Sequence, residues 1–225
     1  PRPAEHVKAL DKNFKGRPGI GYGLTETNAL GTMGAGDEYI NNPSSAGRVV
    51  PPLTEIKIID ENWQELPEGK IGEVAIRSQS NMKGYWRNDD ATAECINSEG
   101  WFKSGDLGKF DGPFLYILDR LKDMVIRGGE NIACPEVEGA IYEHPDVLEA
   151  SVFGIPDERL GEILCSSICL REGSKLSIES LNEFLSDKLA AFKIPVKIKF
   201  TYNPLPKIAS GKFDKPTMRQ NFIEE

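Results

Sequence analysis

The sequence predicts an α+β fold in which a small antiparallel β-barrel-like subdomain is followed by a compact α+β domain. Between residues 51 and 119, short runs of alternating hydrophobicity are separated by turn residues, which is typical of an antiparallel barrel or sandwich. After residue 119, strand patterns alternate with helix patterns. A chain of 225 residues with 39% hydrophobic content is long enough to form these cores without disulfide bonds.

The first half of the chain changes character near residue 51. Residues 1–50 contain eight glycines between Gly16 and Gly47, which predicts a glycine-rich loop around one helix. Alternating apolar residues and the turns between them then predict three strands, at residues 55–59, 72–77 and 114–118.

The second half begins with a predicted hairpin and a helix. Gly128 and Gly129 follow the apolar run 124–127, and both glycines can adopt the positive φ angles of a tight hairpin turn. A helix is expected to begin at Cys134, because proline and acidic residues occupy its first turn, and to end before residues 144–145.

Three further elements are predicted towards the C-terminus. The apolar run 163–170 predicts a buried strand, and Ser177 is typical of the N-cap of an amphipathic helix. Residues 196–200 alternate apolar and lysine side chains, which predicts a strand with one exposed face. We therefore place a domain boundary near residues 119–122.

Composition and charge exclude several classes of function. The net charge of −8 and the pI near 5.0 argue against nucleic acid as the main partner. No run approaches the roughly 18 apolar residues of a membrane span, and the first residues have no apolar signal core. Four cysteines are too few for a secreted disulfide scaffold, so we expect a cytoplasmic protein.

A basic segment stands out against the acidic chain. Residues 188–219 contain eight lysines and arginines but a single acidic residue, Asp214. Two interpretations remain open. The segment is either an ordinary solvated face or the binding surface for an anionic small molecule such as a nucleotide or coenzyme.

The glycine-rich segment 21–27 is the first candidate for chemistry. Gly21 and Gly23 let the backbone approach a ligand closely, Thr25 offers a hydroxyl to a phosphate oxygen, and Glu26 offers a hard oxygen to Mg²⁺. Taken alone, a glycine-rich segment of this sort is more often a turn than a binding site.

Three charged residues are the other candidates. Asp106 follows a glycine and can bind a ribose diol, and Arg120 can donate to a ribose or a phosphate; the alternatives are a surface carboxylate and an interdomain linker. Lys212 follows Ser-Gly on a predicted loop. A lysine charge at about 4 Å from a phosphoryl oxygen contributes roughly 4 kcal/mol at an effective dielectric of about 20.

Other residues are interpreted as structural. Cys165 and Cys169 share one strand face, but no second Cys/His pair accompanies them, which favours buried thiols over a zinc site. Tyr85 and Trp86 are interpreted as packing residues.

Six motifs in this order resemble the adenylate-forming (AMP-binding) superfamily, which includes acyl-CoA synthetases, aryl-CoA ligases, luciferases and the adenylation domains of peptide synthetases. The motifs are Tyr-Gly-Leu-Thr-Glu at 22–26, Gly-Glu-Val at 72–74, Lys-Gly-Tyr-Trp at 83–86, Ser-Gly-Asp at 104–106, Asp-Arg-Leu-Lys-Asp at 119–123 and Ser-Gly-Lys at 210–212.

The resemblance implies a two-step reaction. A carboxylic acid, expected to be a fatty acid, reacts with ATP to give acyl-AMP, and coenzyme A then displaces AMP to give a thioester. The implied ligands are ATP/AMP, Mg²⁺ and coenzyme A as co-substrate, and the implied partners are small molecules, with a homo-oligomer left open.

The resemblance also implies a role for each candidate residue. Thr25, Glu26 and Lys212 are implied to be catalytic, with Thr25 on the α-phosphate, Glu26 on Mg²⁺ and Lys212 bridging the nucleotide and the acyl carboxylate. Lys122 is implied to be a hinge, and Gly128–Gly129 to border the coenzyme A tunnel, where a side chain would narrow it. The nucleotide-binding residues implied are Gly21, Tyr22, Gly23, Thr25, Asp106 and Arg120.

The family pattern also sets the expected domain organisation. Residues 1–119 correspond to the C-terminal remnant of the large N-terminal domain, made of a nucleotide loop (1–50) and a β subdomain (51–119), and residues 120–225 to a mobile lid domain. Only twenty-one residues precede Tyr22, so the family's upstream phosphate loop is not in this sequence. We therefore expect the C-terminal part of a longer enzyme that is inactive by itself.

One departure and two alternatives accompany the resemblance. Asn131 stands where many relatives have arginine, which puts one phosphate contact in doubt. An adenylation domain that loads a carrier protein is the near alternative, although residues 123–132 look more like the CoA-ligase form. A non-catalytic binding module that retains the scaffold is the other. The acid itself is not readable, although residues 29–33 are expected to border its pocket.

Overall fold

The computed structural model describes residues 17–223, together with Val7 and Lys12. The part of the predicted glycine-rich loop before residue 17 otherwise lies outside the described residues. The chain divides into two compact units, Pro1–Leu121 and Lys122–Glu225. The division falls two residues after position 119, where the sequence places the end of the first domain.

The first unit contains one sheet of seven strands in the order β1-β2-β3-β7-β6-β5-β4, and the pairs described are all antiparallel. The strands are β1 (Gly19–Tyr22), β2 (Thr32–Ala35), β3 (Arg48–Val49), β4 (Thr54–Ile59), β5 (Gly72–Ser78), β6 (Phe102–Asp111) and β7 (Phe114–Arg120). Two α-helices, α1 (Gly36–Asn41) and α2 (Asp89–Cys95), and a 3₁₀ helix (Thr25–Thr27) lie in its connections.

The predicted antiparallel sheet is confirmed, and β4, β5 and β7 coincide with the three predicted strands. The prediction of a loop for the first fifty residues is wrong over β1, β2 and β3. The glycines of this segment predict turns. In the structure, Gly47 instead allows two backbone segments to approach closely, because a Cβ on it would lie 2.4 Å from the carbonyl carbon of Met33. Close approach of this kind is a second use of glycine within sheets.

Both faces of the central strands are covered by apolar side chains. Ile58, Val74, Ile76 and Leu115 are buried on one face with Ala46. Residues one position out of phase bury the other face, where Ile59, Ala75 and Trp101 pack together. This alternation fixes the register, because a slip of one residue would exchange the two sets.

The second unit is built on a hairpin of two long strands. Its elements are β8 (Val125–Arg127), β9 (Glu130–Ile132), α3 (Cys134–Tyr142), β10 (Val147–Asp157), β11 (Gly161–Leu170), α4 (Ile178–Ser186), a 3₁₀ helix (Ala191–Lys193), β12 (Lys197–Thr201) and α5 (Lys215–Ile223). The antiparallel strands follow the order β10-β11-β8-β9, and β12 pairs with β11 in parallel.

Most predicted elements of this unit are confirmed. The hairpin, α3, β11 and α4 all form where the sequence predicts them, and the Ser177 hydroxyl accepts a hydrogen bond from the Ser180 amide (3.1 Å) as an N-cap should. Val196 was predicted to lie in the last strand, but it precedes β12 and is 53% exposed. β10 and α5 were not predicted.

Helices cover both faces of the β10–β11 hairpin. Val137 and Ile141 of α3 and Leu181 and Leu185 of α4 are buried against one face. Met218 and Phe222 of α5 cover the other, in a cluster that includes Cys165 and Cys169. Both thiols are therefore buried as predicted, and among the described residues no group of His, Cys, Asp and Glu is arranged to hold a metal ion.

Among the residues that the structure describes, no helix combines the length and the apolar composition that crossing a bilayer needs.

The packing of α4 yields a stability prediction. Leu185 is fully buried, so Leu185→Ala should lower the free energy of unfolding of the second unit by about 2–5 kcal/mol, as other core truncations of leucine do. Urea denaturation of the chain measures the loss. Val196→Ala, at an exposed site, is the control and should stay within about 0.5 kcal/mol of the wild type. Equal stability of both variants would contradict the described core.

Candidate active site

The segment after β1 forms a tight turn held by its own backbone. A Cβ on Gly23 would lie 2.4 Å from the carbonyl carbon of Ala29, so the chain can fold back here only with glycine. The buried Thr27 hydroxyl accepts from the Leu24 amide and donates to the Leu24 carbonyl (both 3.1 Å). Thr25, at the start of the 3₁₀ helix, is exposed. The turn thus presents the Thr25 hydroxyl from a fixed backbone.

A second segment, residues 79–82 after β5, is hydrogen-bonded to this turn. The Met82 amide donates to the Glu26 carbonyl oxygen (2.7 Å), and the Asn28 side chain donates to the Ser80 carbonyl oxygen (2.6 Å). The Ser80 hydroxyl in turn donates to the Thr27 carbonyl oxygen (3.0 Å). These three hydrogen bonds connect the 3₁₀ helix to a part of the chain more than fifty residues away.

The Glu26 carboxylate is oriented by a tyrosine. The Tyr85 hydroxyl donates to Glu26 Oε1 at 3.0 Å, and burial together with this carboxylate raises the pKa of Tyr85 to about 12, so the phenol stays a donor at neutral pH. One carboxylate is enough for Mg²⁺ that takes its other ligands from nucleotide phosphates and water. Glu26 therefore fits the predicted role as a magnesium ligand.

Asp106 and Arg120 face each other across the β6–β7 ladder. They are Cα partners in register, and Arg120 Nε lies 3.5 Å from Asp106 Oδ1. The Tyr22 hydroxyl donates to the other oxygen, Asp106 Oδ2, at 2.8 Å. Only 7% of Asp106 is exposed, whereas about half of the Arg120 side chain reaches solvent. Three strands, β1, β6 and β7, thereby bring one buried carboxylate, one hydrogen-bond donor and one guanidinium together.

The backbone conformation beside Asp106 is fixed by a glycine and by hydrogen bonds from two amides. Gly105 has φ +72°, a conformation that favours glycine, and its amide donates to the Glu73 carboxylate at 2.9 Å. The Asp106 amide donates to the Ser104 hydroxyl at 3.1 Å. The β6–β7 register shifts between Leu107 and Gly108, next to this bend. Irregularities of this kind in a ladder often re-aim a side chain beside a site.

Sequence reasoning missed two contributors to this unit's site. The interpretation of Tyr85 and Trp86 as packing residues is wrong, because Tyr85 holds Glu26 and Trp86 is 86% exposed. Their place in the motif at 83–86 was the only available signal. Glu73, in the motif at 72–74, is the second contributor, because its carboxylate accepts a hydrogen bond from the Gly105 amide.

The loop of residues 206–214 carries Lys212 in the second unit. The Ile208 amide donates to the Lys212 carbonyl oxygen (2.9 Å), and the Gly211 amide donates to the Ile208 carbonyl oxygen (2.8 Å). Gly211 has φ +82°, which closes this turn. Lys212 is exposed at the tip of this loop. Within the described part of the chain, its side chain has no ion-pair partner.

Most of the basic segment 188–219 is neutralised within its own unit. Five of its eight cations form ion pairs: Lys188 with Glu143, Lys193 with Glu136, Lys207 with Glu149, Lys215 with Glu138 and Arg219 with Asp123. The solvated-face interpretation therefore accounts for most of the segment. Lys212 is not among the paired residues and keeps its charge available for an anionic ligand.

Gly128 and Gly129 form the turn between β8 and β9. Both have positive φ (+59° and +88°), and the Gly128 amide donates to the Leu160 carbonyl oxygen at 2.8 Å. The Glu162 carboxylate accepts from the Ile126 amide at 2.8 Å and holds the same hairpin. No described atom lies within 4 Å of a Cβ built on Gly129, so within its unit the backbone conformation is what requires glycine. Lys122 is the exposed first residue of this unit.

Comparison with known families identifies the two units. Residues 1–86 match the AMP-binding enzyme family, and residues 136–212 match the C-terminal domain of AMP-binding enzymes. The chain belongs to the AMP-binding enzyme family. The superfamily inferred from the six motifs is thereby confirmed.

Individual relatives extend over the whole chain. YngI of Bacillus subtilis is 39% identical over 228 residues, which cover all of this chain and 41% of YngI. The mitochondrial medium-chain acyl-CoA ligase ACSF2 of Danio rerio is 37% identical over 204 residues, which cover 89% of this chain and 33% of ACSF2. The chain thus spans less than half the length of these two relatives.

Solved structures of two enzymes share the fold. MatB of Rhodopseudomonas palustris with bound ATP superposes with a TM-score of 0.89 at 31% identity, over 97% of this chain and 43% of MatB. The o-succinylbenzoate CoA synthetase MenE of Bacillus subtilis, in complex with its acyl-adenylate intermediate, gives 0.86 at 31% identity, over all of this chain and 44% of MenE. The predicted fold class is confirmed by both.

The Tyr22–Asp106 contact yields a prediction for alkaline pH. Burial, and next the charge of Asp106, raise the pKa of Tyr22 well above its ordinary value near 10. Above about pH 10 the unfolded chain therefore loses this proton while the folded chain keeps it. Stability should fall as pH rises, and Tyr22 should contribute up to about 1.4 kcal/mol per pH unit.

Urea denaturation of the chain between pH 9 and 11.5 measures this contribution. Tyr22→Phe should lose stability less steeply than the wild type above pH 10. Tyr202→Phe, which alters a tyrosine that is 62% exposed, is the control and should keep the wild-type slope. The same slope in Tyr22→Phe and the wild type would contradict a buried, protonated Tyr22.

Proposed function

We propose that the protein containing this chain is an ATP-dependent, AMP-forming ligase that activates a carboxylic acid as acyl-AMP and transfers the acyl group to coenzyme A. The observation that carries the proposal is the cluster of Tyr22, Asp106 and Arg120 on the unit that also presents Thr25 and Glu26. Family membership supports it, as do the ATP and the acyl-adenylate in the matched structures.

Asp106 and Arg120 are proposed to bind the ribose of the nucleotide. A carboxylate has about four acceptor positions, and the Tyr22 hydroxyl and Arg120 occupy only part of them. The remaining positions suit the two hydroxyls of a ribose. The exposed half of Arg120 leaves its guanidinium able to donate to the same sugar.

Thr25 and Glu26 are proposed to meet the phosphates. The exposed Thr25 hydroxyl would donate to the α-phosphate, and Glu26 would hold Mg²⁺, which neutralises phosphate charge. Gly21 and Gly23 are proposed as nucleotide-binding positions through their backbone, because the space that a Cβ on Gly23 would take is filled by the backbone of Ala29. Tyr22 acts through Asp106, to which its hydroxyl donates, so we propose it as a residue that orients the ribose contact.

Lys212 is proposed to act in the first step only. The attack of a carboxylate on the α-phosphate places two anionic groups together, and a lysine charge between them stabilises the transition state. Gly128 and Gly129 are proposed to border coenzyme A in the second step, with Lys122 as the hinge that exchanges the two loops. Each loop is held by carboxylates of its own unit, which suits movement of the unit as a rigid body.

The acid and the cellular location are also proposals. We propose an aliphatic, fatty-type acid, which the name of the relative ACSF2 supports, although MenE is named for o-succinylbenzoate. Residues 29–33 are proposed to border the acid. A cytoplasmic location remains a proposal from cysteine content, and ACSF2 is named as mitochondrial.

The proposed reaction is tested by incubating the complete protein with ATP, Mg²⁺ and a panel of carboxylic acids, first without and then with coenzyme A. Acyl-AMP and pyrophosphate should form first, and acyl-CoA should follow on addition of the thiol. A parallel reaction with a phosphopantetheinyl carrier protein separates the carrier-loading alternative. Formation of neither product with any acid would contradict the proposal. The isolated 225 residues are expected to form no acyl-AMP.

Replacement of the loop lysine should affect the two steps unequally. In the complete protein, Lys212→Ala should slow acyl-AMP formation by about 10²- to 10³-fold, the usual cost of losing one transition-state charge contact. Thioester formation from supplied acyl-AMP should stay largely intact. Lys197→Ala, which removes an exposed lysine of β12, is the control. Equal damage to both steps would contradict a role confined to the first step.

Replacement of the hinge residue should affect the other step. Proline fixes φ near −65°, so Lys122→Pro should restrict rotation about this position and slow the thioester step more than acyl-AMP formation. Lys122→Ala keeps the rotational freedom and should be clearly less impaired. Single-turnover measurements of each step decide the case, and normal overall turnover of Lys122→Pro would contradict the hinge.

A further inference from the structure

The loop that carries Lys212 is attached to β10 by one carboxylate. Glu149 Oε2 accepts a hydrogen bond from the Leu205 amide at 2.8 Å, and Glu149 Oε1 accepts one from Lys207 Nζ at 2.5 Å. Leu205 itself is buried beneath the loop, 4% exposed, against the α5 face of the hairpin. The entrance to the loop is therefore fixed by an apolar anchor and by two charge-assisted hydrogen bonds.

The contact at Lys207 reaches the tip of the loop through the backbone. Lys207 forms an isolated β-bridge with Phe213, and the Asp214 amide donates to the Pro206 carbonyl oxygen at 2.9 Å. The Lys207 ammonium also lies 5.5 Å from the centre of the Phe213 ring. Together with the hydrogen bond from the Ile208 amide to the Lys212 carbonyl oxygen, these contacts close the loop into a small hairpin. The position of Lys212 at the end of this hairpin therefore depends on how Lys207 is held at its base.

Glu149 holds its charge in a partly buried place. Its side chain is 18% exposed, and burial opposes ionisation. The hydrogen bonds from Lys207 and from the Leu205 amide outweigh that cost and leave the pKa of Glu149 below its ordinary value. The carboxylate is therefore ionised at neutral pH, as an ion pair with Lys207 requires.

We propose that Glu149 is a positioning residue for Lys212, holding the base of its loop through Lys207 and the Leu205 amide. The inference rests on the proposed function, in which the charge of Lys212 must lie at a defined place during acyl-AMP formation. A displacement of about 1 Å of a catalytic group can cost on the order of 10²-fold in rate. Loss of the anchor should therefore reduce acyl-AMP formation although Lys212 is intact.

The anchor is tested first in this chain, without reference to catalysis. Glu149→Gln keeps an acceptor for the Leu205 amide but removes the charge that pairs with Lys207. Hydrogen exchange of the Ile208 and Gly211 amides should become about tenfold faster in this variant. Glu143→Gln is the matched control, because it breaks a similar surface pair with Lys188 (2.6 Å) away from the loop. Unchanged exchange in Glu149→Gln would overturn the anchor.

The catalytic consequence is tested in the complete protein by measuring the two steps separately. Glu149→Gln should slow acyl-AMP formation by about 10- to 100-fold and leave thioester formation from supplied acyl-AMP unchanged, whereas Glu143→Gln should match the wild type in both steps. The double variant Glu149→Gln/Lys207→Gln should be no slower than the slower single variant, since both remove one contact.

The possible failures are distinguishable. If the wild type forms acyl-AMP and Glu149→Gln forms it at the same rate, the positioning role is overturned and the proposed function stands. Equal loss in both steps would show a merely structural role and would also overturn it. If the wild type forms no acyl-AMP with any acid, the proposed function fails, and with it the catalytic role of Glu149, whatever the exchange data show.

Discussion

The buried carboxylate of Asp106, held between the Tyr22 hydroxyl and Arg120, is the interaction on which the account of the first unit depends. A carboxylate on a residue that is 7% exposed costs free energy unless polar partners meet it, and here the Tyr22 hydroxyl on β1 donates to it and Arg120 on β7 forms an ion pair with it. The same contacts that make its burial tolerable fix its orientation. A carboxylate held in this way can bind a polar ligand with little further loss of side-chain conformational entropy.

The sequence predicted the parts of the fold that local patterns encode. The Gly128–Gly129 turn and the Ser177 cap depend on neighbouring residues, and both form as predicted. The glycine strands β1 and β2 were missed because glycine signals a turn and a close backbone contact alike. The roles given to the site residues came from the family resemblance, whereas the contacts between Tyr22 and Asp106 and between Tyr85 and Glu26 span 84 and 59 positions, which periodicity does not encode.

Most cations of the basic segment 188–219 form ion pairs within the second unit. Carboxylates on α3 and β10, together with Glu143 and Asp123, pair with five of its eight cations, and surface pairs of this kind add little stability each. Their more specific effect is positional, since Glu149 and Glu162 hold the bases of two loops, one with Lys212 at its tip and one with Gly129. The proposed reaction uses both tips, which explains why rigid loops suit it.

Recognition of the ribose is the central claim, and competition between two nucleotides tests it most directly. The complete protein should bind AMP at least tenfold more tightly than 2′,3′-dideoxy-AMP, because hydrogen bonds to a charged group contribute about 1.5–3 kcal/mol. Calorimetric titration measures both affinities, and the difference should disappear in Asp106→Ala. Equal affinity of the wild type for the two nucleotides would contradict the ribose site and the account built on it.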